Sequence, residues 1–170
     1  MAARRSIVKW IGGLVATALG VAIAVPAGAF LSFPTRKRTV GGADEPVDVG
    51  ELERLPEGQP TRVPVRVRDL RDAWTRFTGV TLGAVWLQRD GAEVRALSTV
   101  CPHAGCAVDW EPADERFACP CHDSVFDPSG ARVSGPAPRG MDRLDCAVKD
   151  GRVLVTWRRY RQGVAGKEET

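Results

Sequence analysis

The sequence predicts an all-β domain, a small antiparallel β-sandwich, carried on a single N-terminal transmembrane helix. Three observations predict it. Trp10 to Phe33 is an uncharged, largely apolar run behind a basic start, "MAARRSIVKW". From Val49 onward the chain breaks into short segments of period two, such as "TRVPVRVR" (61–68) and "RVLVTW" (152–157). Hairpin signals, "RDG" at 89–91 and "KDG" at 149–151, separate some of them. No long amphipathic pattern and no internal repeat follows residue 50.

The apolar run comes first. Its 24 residues as a helix would reach about 36 Å at 1.5 Å per residue. That exceeds a hydrocarbon core of about 30 Å. A cleavable signal peptide is the plain alternative, with "AGA" at 27–29 as its cleavage site. The run is longer than an ordinary signal core, which favours an uncleaved anchor over residues 1–33. Basic residues flank both ends (Arg4, Arg5, Lys9; Arg36, Lys37, Arg38), so charge counting gives no orientation. "ARRSIVK" resembles a twin-arginine export signal, a route for folded cargo.

Residues 34–48, "PTRKRTVGGADEPVD", are polar and contain Gly41 and Gly42. They read as a linker or hinge. The β-domain is expected over 49–158, with a polar, irregular tail at 159–170. Further strand candidates are "LGAVWLQ" (82–88), "EVRALST" (93–99), "RFAC" (116–119), "ARVS" (131–134) and "RLDCAV" (143–148). Pro64 demotes 61–68 to an edge strand or a bulge.

Composition excludes some functions. A net charge of +3 over 170 residues makes no case for nucleic acid. Five cysteines are too few for a disulfide scaffold of this length. Four of them, with both histidines, fall in two short loops: Cys101-Pro-His103-Ala-Gly-Cys106 and Cys119-Pro-Cys121-His122-Asp-Ser124. Such crowding of soft donors indicates a metal site. One thiolate and one imidazole from each loop suit a tetrahedral zinc, or an iron–sulfur centre in which histidine replaces two cysteines. The zinc reading leaves Cys106 and Cys121 without a role. Cys146, alternating with Leu144 and Val148, reads as a small buried apolar residue.

The paired loops resemble the Rieske 2Fe–2S signature, Cys-x-His-x-x-Cys followed by Cys-x-Cys-His-x-Ser. The resemblance covers about residues 47–158 and implies a Rieske-type β-sandwich. It implies that Cys101 and Cys119 bind one iron of a single 2Fe–2S cluster, and that His103 and His122 bind the other. It implies a Cys106–Cys121 disulfide, and a Ser124 hydroxyl that donates to a bridging sulfide. "SGPAPRG" (134–140) resembles the Pro loop of quinol-oxidising members, with Gly135, Pro136, Ala137 and Pro138 as its core; a proline-rich turn is the plain alternative. Two positions depart from the quinol-oxidising pattern. Asp123 stands where glycine is usual, and Phe126 where high-potential members carry tyrosine.

By this resemblance the chain is the Rieske subunit of a bacterial cytochrome bc-type quinol–cytochrome c reductase. It takes an electron and a proton from quinol, with His103 and His122 as the reacting groups. Its partners are then a cytochrome b-type subunit, a c-type cytochrome and the membrane. It is single-pass in the bacterial cytoplasmic membrane, with its head on the periplasmic side. The two departures favour menaquinol. The alternative is the Rieske small subunit of an arsenite oxidase-like molybdoenzyme, against which the Pro loop argues. A soluble oxygenase ferredoxin would lack the anchor and the second cysteine pair.

Overall fold

The computed structural model describes residues 2–32, 45–71 and 76–170. Helix α1 spans Ala2–Ser32. Its stretch from Ser6 to Ser32, whose most apolar 18-residue window has a mean hydropathy of 2.2, is long and apolar enough to cross a membrane. At about 1.5 Å per residue those 27 residues reach about 40 Å. Apolar side chains are exposed all around it, Trp10 and Phe30 among them. A helix apolar on every side requires an apolar surrounding. Pro26 lies inside the helix, a residue that membrane helices tolerate there.

The second unit is all-β, with three antiparallel sheets among its described residues. One has the order β1-β11-β10: β1 is Pro46–Glu51, β10 is Cys146–Lys149 and β11 is Arg152–Thr156. The second has the order β2-β3-β4-β9: Thr61–Arg71, Arg76–Asp90, Glu93–Ser98 and Arg143–Leu144. The third has the order β5-β6-β7-β8: Asp109–Glu111, Arg116–Cys119, Ser124–Phe126 and Arg132–Ser134. The first two sheets enclose one core, built from residues such as Val65, Val85, Leu87, Val153 and Val155. The alternation in β11, where Val153 and Val155 are buried, is what directs those valines inward. Phe117, Phe126, Val108, Leu97 and Trp86 form a second core under the third sheet. Trp86 joins the layers: its Nε1–H donates to the Val108 carbonyl at 2.9 Å, and its ring centroid lies 5.6 Å from that of Phe117.

Pro64 fits as expected. β2 is an edge strand, and its register with β3 slips between Val65 and Arg66. Both hairpin signals mark tight turns, with positive φ at Gly91, Asp150 and Gly151.

The structure departs from the sequence reading in four places. The linker does not run to Asp48, because β1 begins at Pro46 and buries Val47; residues 34–44, with Gly41 and Gly42, lie outside the described residues. "RLDCAV" is not one strand. The chain changes sheets at Asp145, so Leu144 pairs with Ala96 while Cys146 pairs with Val155. In consequence Val148 is exposed, and Cys146 is only half-buried, with its thiol donating to the Val94 carbonyl. Burial, the larger influence, pushes that thiol's pKa up. Finally, the 159–170 tail folds back on itself, bridging Tyr160 to Glu169.

Candidate metal centre

Both donor loops are pinched at their bases like hairpins. The first closes between Val100 and Ala107, and inside it the Cys101 N–H donates to the Cys106 carbonyl at 2.8 Å. The second joins β6 to β7, where Cys119 pairs with Ser124. Asp123 has a φ of 54°. That left-handed conformation is cheap for glycine and tolerable for aspartate, which gives a steric reason for glycine being usual there.

In each loop the first cysteine sits at the base and the histidine further out. Cys101 and Cys119 are therefore buried, His103 is half-buried and His122 is exposed. The two imidazoles meet edge to face, with centroids 4.7 Å apart. Burial, and secondarily Cys119, push the Cys101 thiol up, while the backbone N–H groups of His103 and Ala104 favour its thiolate. A bound cation would resolve that opposition by displacing the proton.

Cys106 and Cys121 are disulfide-bonded, with Cα atoms 6.5 Å apart, and so tie the loops together. The sulfurs of Cys106, Cys119 and Cys121 lie within 4.8 Å of one another. Two of the three are consumed by the disulfide, so this trio is not a ligand set. The donor set left over is two thiols and two imidazoles.

The third loop packs on the second. A Cβ at Gly135, whose φ is +88°, would lie 2.5 Å from Ser124 Cα and 2.6 Å from the Asp123 carbonyl oxygen. Glycine alone permits that approach. Beside it the buried Ala137 N–H donates to Ser124 Oγ at 3.2 Å. Ser124 is fully buried, and its own hydroxyl proton has no acceptor among the described residues. Pro136 and Pro138 are exposed around it. Two buried thiols, two imidazoles and an unused buried hydroxyl fit a 2Fe–2S cluster with mixed sulfur and nitrogen ligation.

The Rieske [2Fe-2S] domain family matches residues 45–150. The chain belongs to the Rieske [2Fe-2S] family. A Rieske-type 2Fe–2S cluster is accordingly its cofactor, and the zinc alternative falls. Cytochrome b6-f complex iron-sulfur subunit 3 of Nostoc sp. (strain PCC 7120) is 32% identical over 154 residues, covering 90% of this chain and 84% of that protein. The menaquinol:cytochrome c reductase iron-sulfur subunit of Bacillus subtilis is 30% identical over 145 residues, covering 83% and 81%. Among solved structures, the plasma membrane Rieske protein of Synechocystis PCC 6803 aligns with a TM-score of 0.47 at 26% identity, covering 64% of this chain and 97% of that one.

Sequence reasoning missed the Gly135–Ser124 approach and the Arg139–Asp142 ion pair. The first is a contact between residues 11 positions apart, which no periodicity encodes. Arg139 follows the Pro loop and makes a buried ion pair with Asp142. In the sequence it is an ordinary arginine in a polar turn.

Proposed function

We propose that the chain is the Rieske subunit of a membrane-bound, cytochrome bc-type quinol–cytochrome c reductase. One observation carries this reading: burial falls from Cys101 and Cys119, through half-buried His103, to exposed His122. Cys101 and Cys119 would hold one iron of the cluster, and His103 and His122 the other. When bound, the cluster supplies a one-electron acceptor. The exposed His122 would offer a ring nitrogen to the quinol hydroxyl and accept its proton there. Gly135–Pro138 cover one flank and exclude water. The disulfide keeps the loops in register. The acceptor in this reading is a c-type cytochrome.

Two of the relatives support the class of partner. Both are iron-sulfur subunits of cytochrome complexes, and one is named for menaquinol. Phe126 and Asp123, each of which lowers the expected potential, also favour menaquinol. Helix α1 is the anchor. Twin-arginine export from "ARRSIVK" places the head on the periplasmic face of a bacterial cytoplasmic membrane.

The test is affinity purification of the tagged full-length chain from its native membrane. A co-purifying b-type haem subunit, together with menaquinol-dependent cytochrome c reduction, is expected. A molybdenum-containing partner without b-type haem would overturn the proposal and restore the arsenite oxidase-like reading.

A further inference from the structure

The disulfide holds only one arm of the first donor loop. It fixes Cys106, on the far side of the loop from Pro102 and His103. A different contact meets that other arm. The Gly163 N–H donates to the buried Pro102 carbonyl at 2.8 Å, and Gly163 lies over the His103 backbone. Segment 159–170 is braced by its own bonds, from Arg161 N–H to the Glu168 carbonyl (2.8 Å) and from Thr170 N–H to the Arg159 carbonyl (3.0 Å). Lys167 Nζ pins it to the Arg143 carbonyl at 2.8 Å.

Arg139 connects this segment to the Pro loop. Its guanidinium donates to both Asp142 carboxylate oxygens, at 2.9 and 2.8 Å. The same group donates to the carbonyls of Val164 (2.5 Å) and Arg161 (2.9 Å). The Arg139 and Asp142 side chains are 11% and 7% exposed. Asp142 is fixed in turn, because its carbonyl accepts from the Ser98 N–H at 2.8 Å. A planar donor fork is what can serve one carboxylate and two carbonyls together.

We infer that Arg139 is a positioning residue for the first donor loop, acting through segment 159–170. It links the Pro loop to the Pro102–His103 arm, the arm that the disulfide leaves free. The two tethers together close the loop from both sides. The inference rests on His103 being a cluster ligand, as proposed above.

The test uses the cluster-loaded protein in three forms: full-length Arg139→Gln, full-length Arg139→Lys, and a chain lacking residues 160–170. The shortened chain keeps the Arg139–Asp142 pair and so separates loss of the strap from a stranded buried carboxylate. Two readouts are taken, hydrogen exchange of the 101–106 and 119–124 amides and the rate of cluster loss to a chelator. Loss of a hydrogen bond to a charged group corresponds to about a tenfold effect or more. Arg139→Gln and the shortened chain are both expected to speed exchange of 101–106 and cluster loss about tenfold, with 119–124 unchanged and Arg139→Lys intermediate. Unchanged 101–106 exchange in the shortened chain overturns the inference. So does faster exchange with an unchanged rate of cluster loss, which would make the strap a structural brace only. The His103 assignment is checked separately, by nitrogen couplings in the electron paramagnetic resonance (EPR) spectrum of the wild-type reduced cluster.

Discussion

Phe126→Tyr adds one hydroxyl to a ring that has no access to solvent. Phe126 belongs to the same apolar core as Cys101 and Cys119. It pairs with Phe117 across β6 and β7, one inward position beyond Ser124. The new hydroxyl has two possible fates there. Without an acceptor it costs about 1–3 kcal/mol of stability. With a cysteine sulfur as acceptor, a hydrogen bond to a charged group contributes about 1.5–3 kcal/mol. Reduction makes the cluster more negative, so that bond strengthens on reduction and the potential rises. If about 1 kcal/mol of it differs between redox states, the rise is about 40 mV, since tenfold in a one-electron equilibrium is about 59 mV. The assay is an EPR-monitored redox titration beside a thermal melt. A potential that stays put or falls, with a loss of about 1–3 kcal/mol, would show that the ring does not face the sulfurs. The argument for a low-potential quinol would then lose its main support.

Four further outcomes follow. Asp123→Gly removes an exposed carboxylate and relieves a left-handed aspartate, so the potential rises by less than in Phe126→Tyr because solvent screens that charge; a fall would contradict this. His103→Cys or His122→Cys abolishes quinol oxidation even where a cluster assembles, and turnover at the normal rate would refute the role given to the imidazoles. Replacing Cys106 and Cys121 together by Ser removes about 2–4 kcal/mol of stability and speeds cluster loss; an unchanged melt and cluster content would argue against the clamp. Gly135→Ala forces an L-residue into a left-handed conformation at about 1–2 kcal/mol and drives its methyl into Ser124, so the melting temperature drops and the Pro loop shifts off β7; an unchanged melt would contradict that close approach.

Much of the molecule was legible because its signals are local. The apolar span, the edge proline, the alternation in 152–157 and the paired donor loops each lie within a few residues of sequence. Strands β5 and β7 have three residues each, too few for a period to show. The sheet change at Asp145 left no local signal either, because the residues on both sides remain strand-like. Asp123 stands out in the sequence as a departure from the family pattern, but its left-handed backbone is a property of the turn and not of the residue. The contacts of Gly163 and Arg139 join segments 61 and 22–25 residues apart, and a polar tail gives no sign of where it will dock.

The central claim is that two buried cysteines and two more accessible histidines hold the cluster, and so set it at a potential that quinol can reach. EPR of the reduced, purified protein, recorded through a redox titration, tests it most directly. The account predicts hyperfine coupling to two imidazole nitrogens and a midpoint within roughly −150 to +300 mV. A midpoint near about −400 mV with no nitrogen coupling, the behaviour of an all-cysteine cluster, would contradict it.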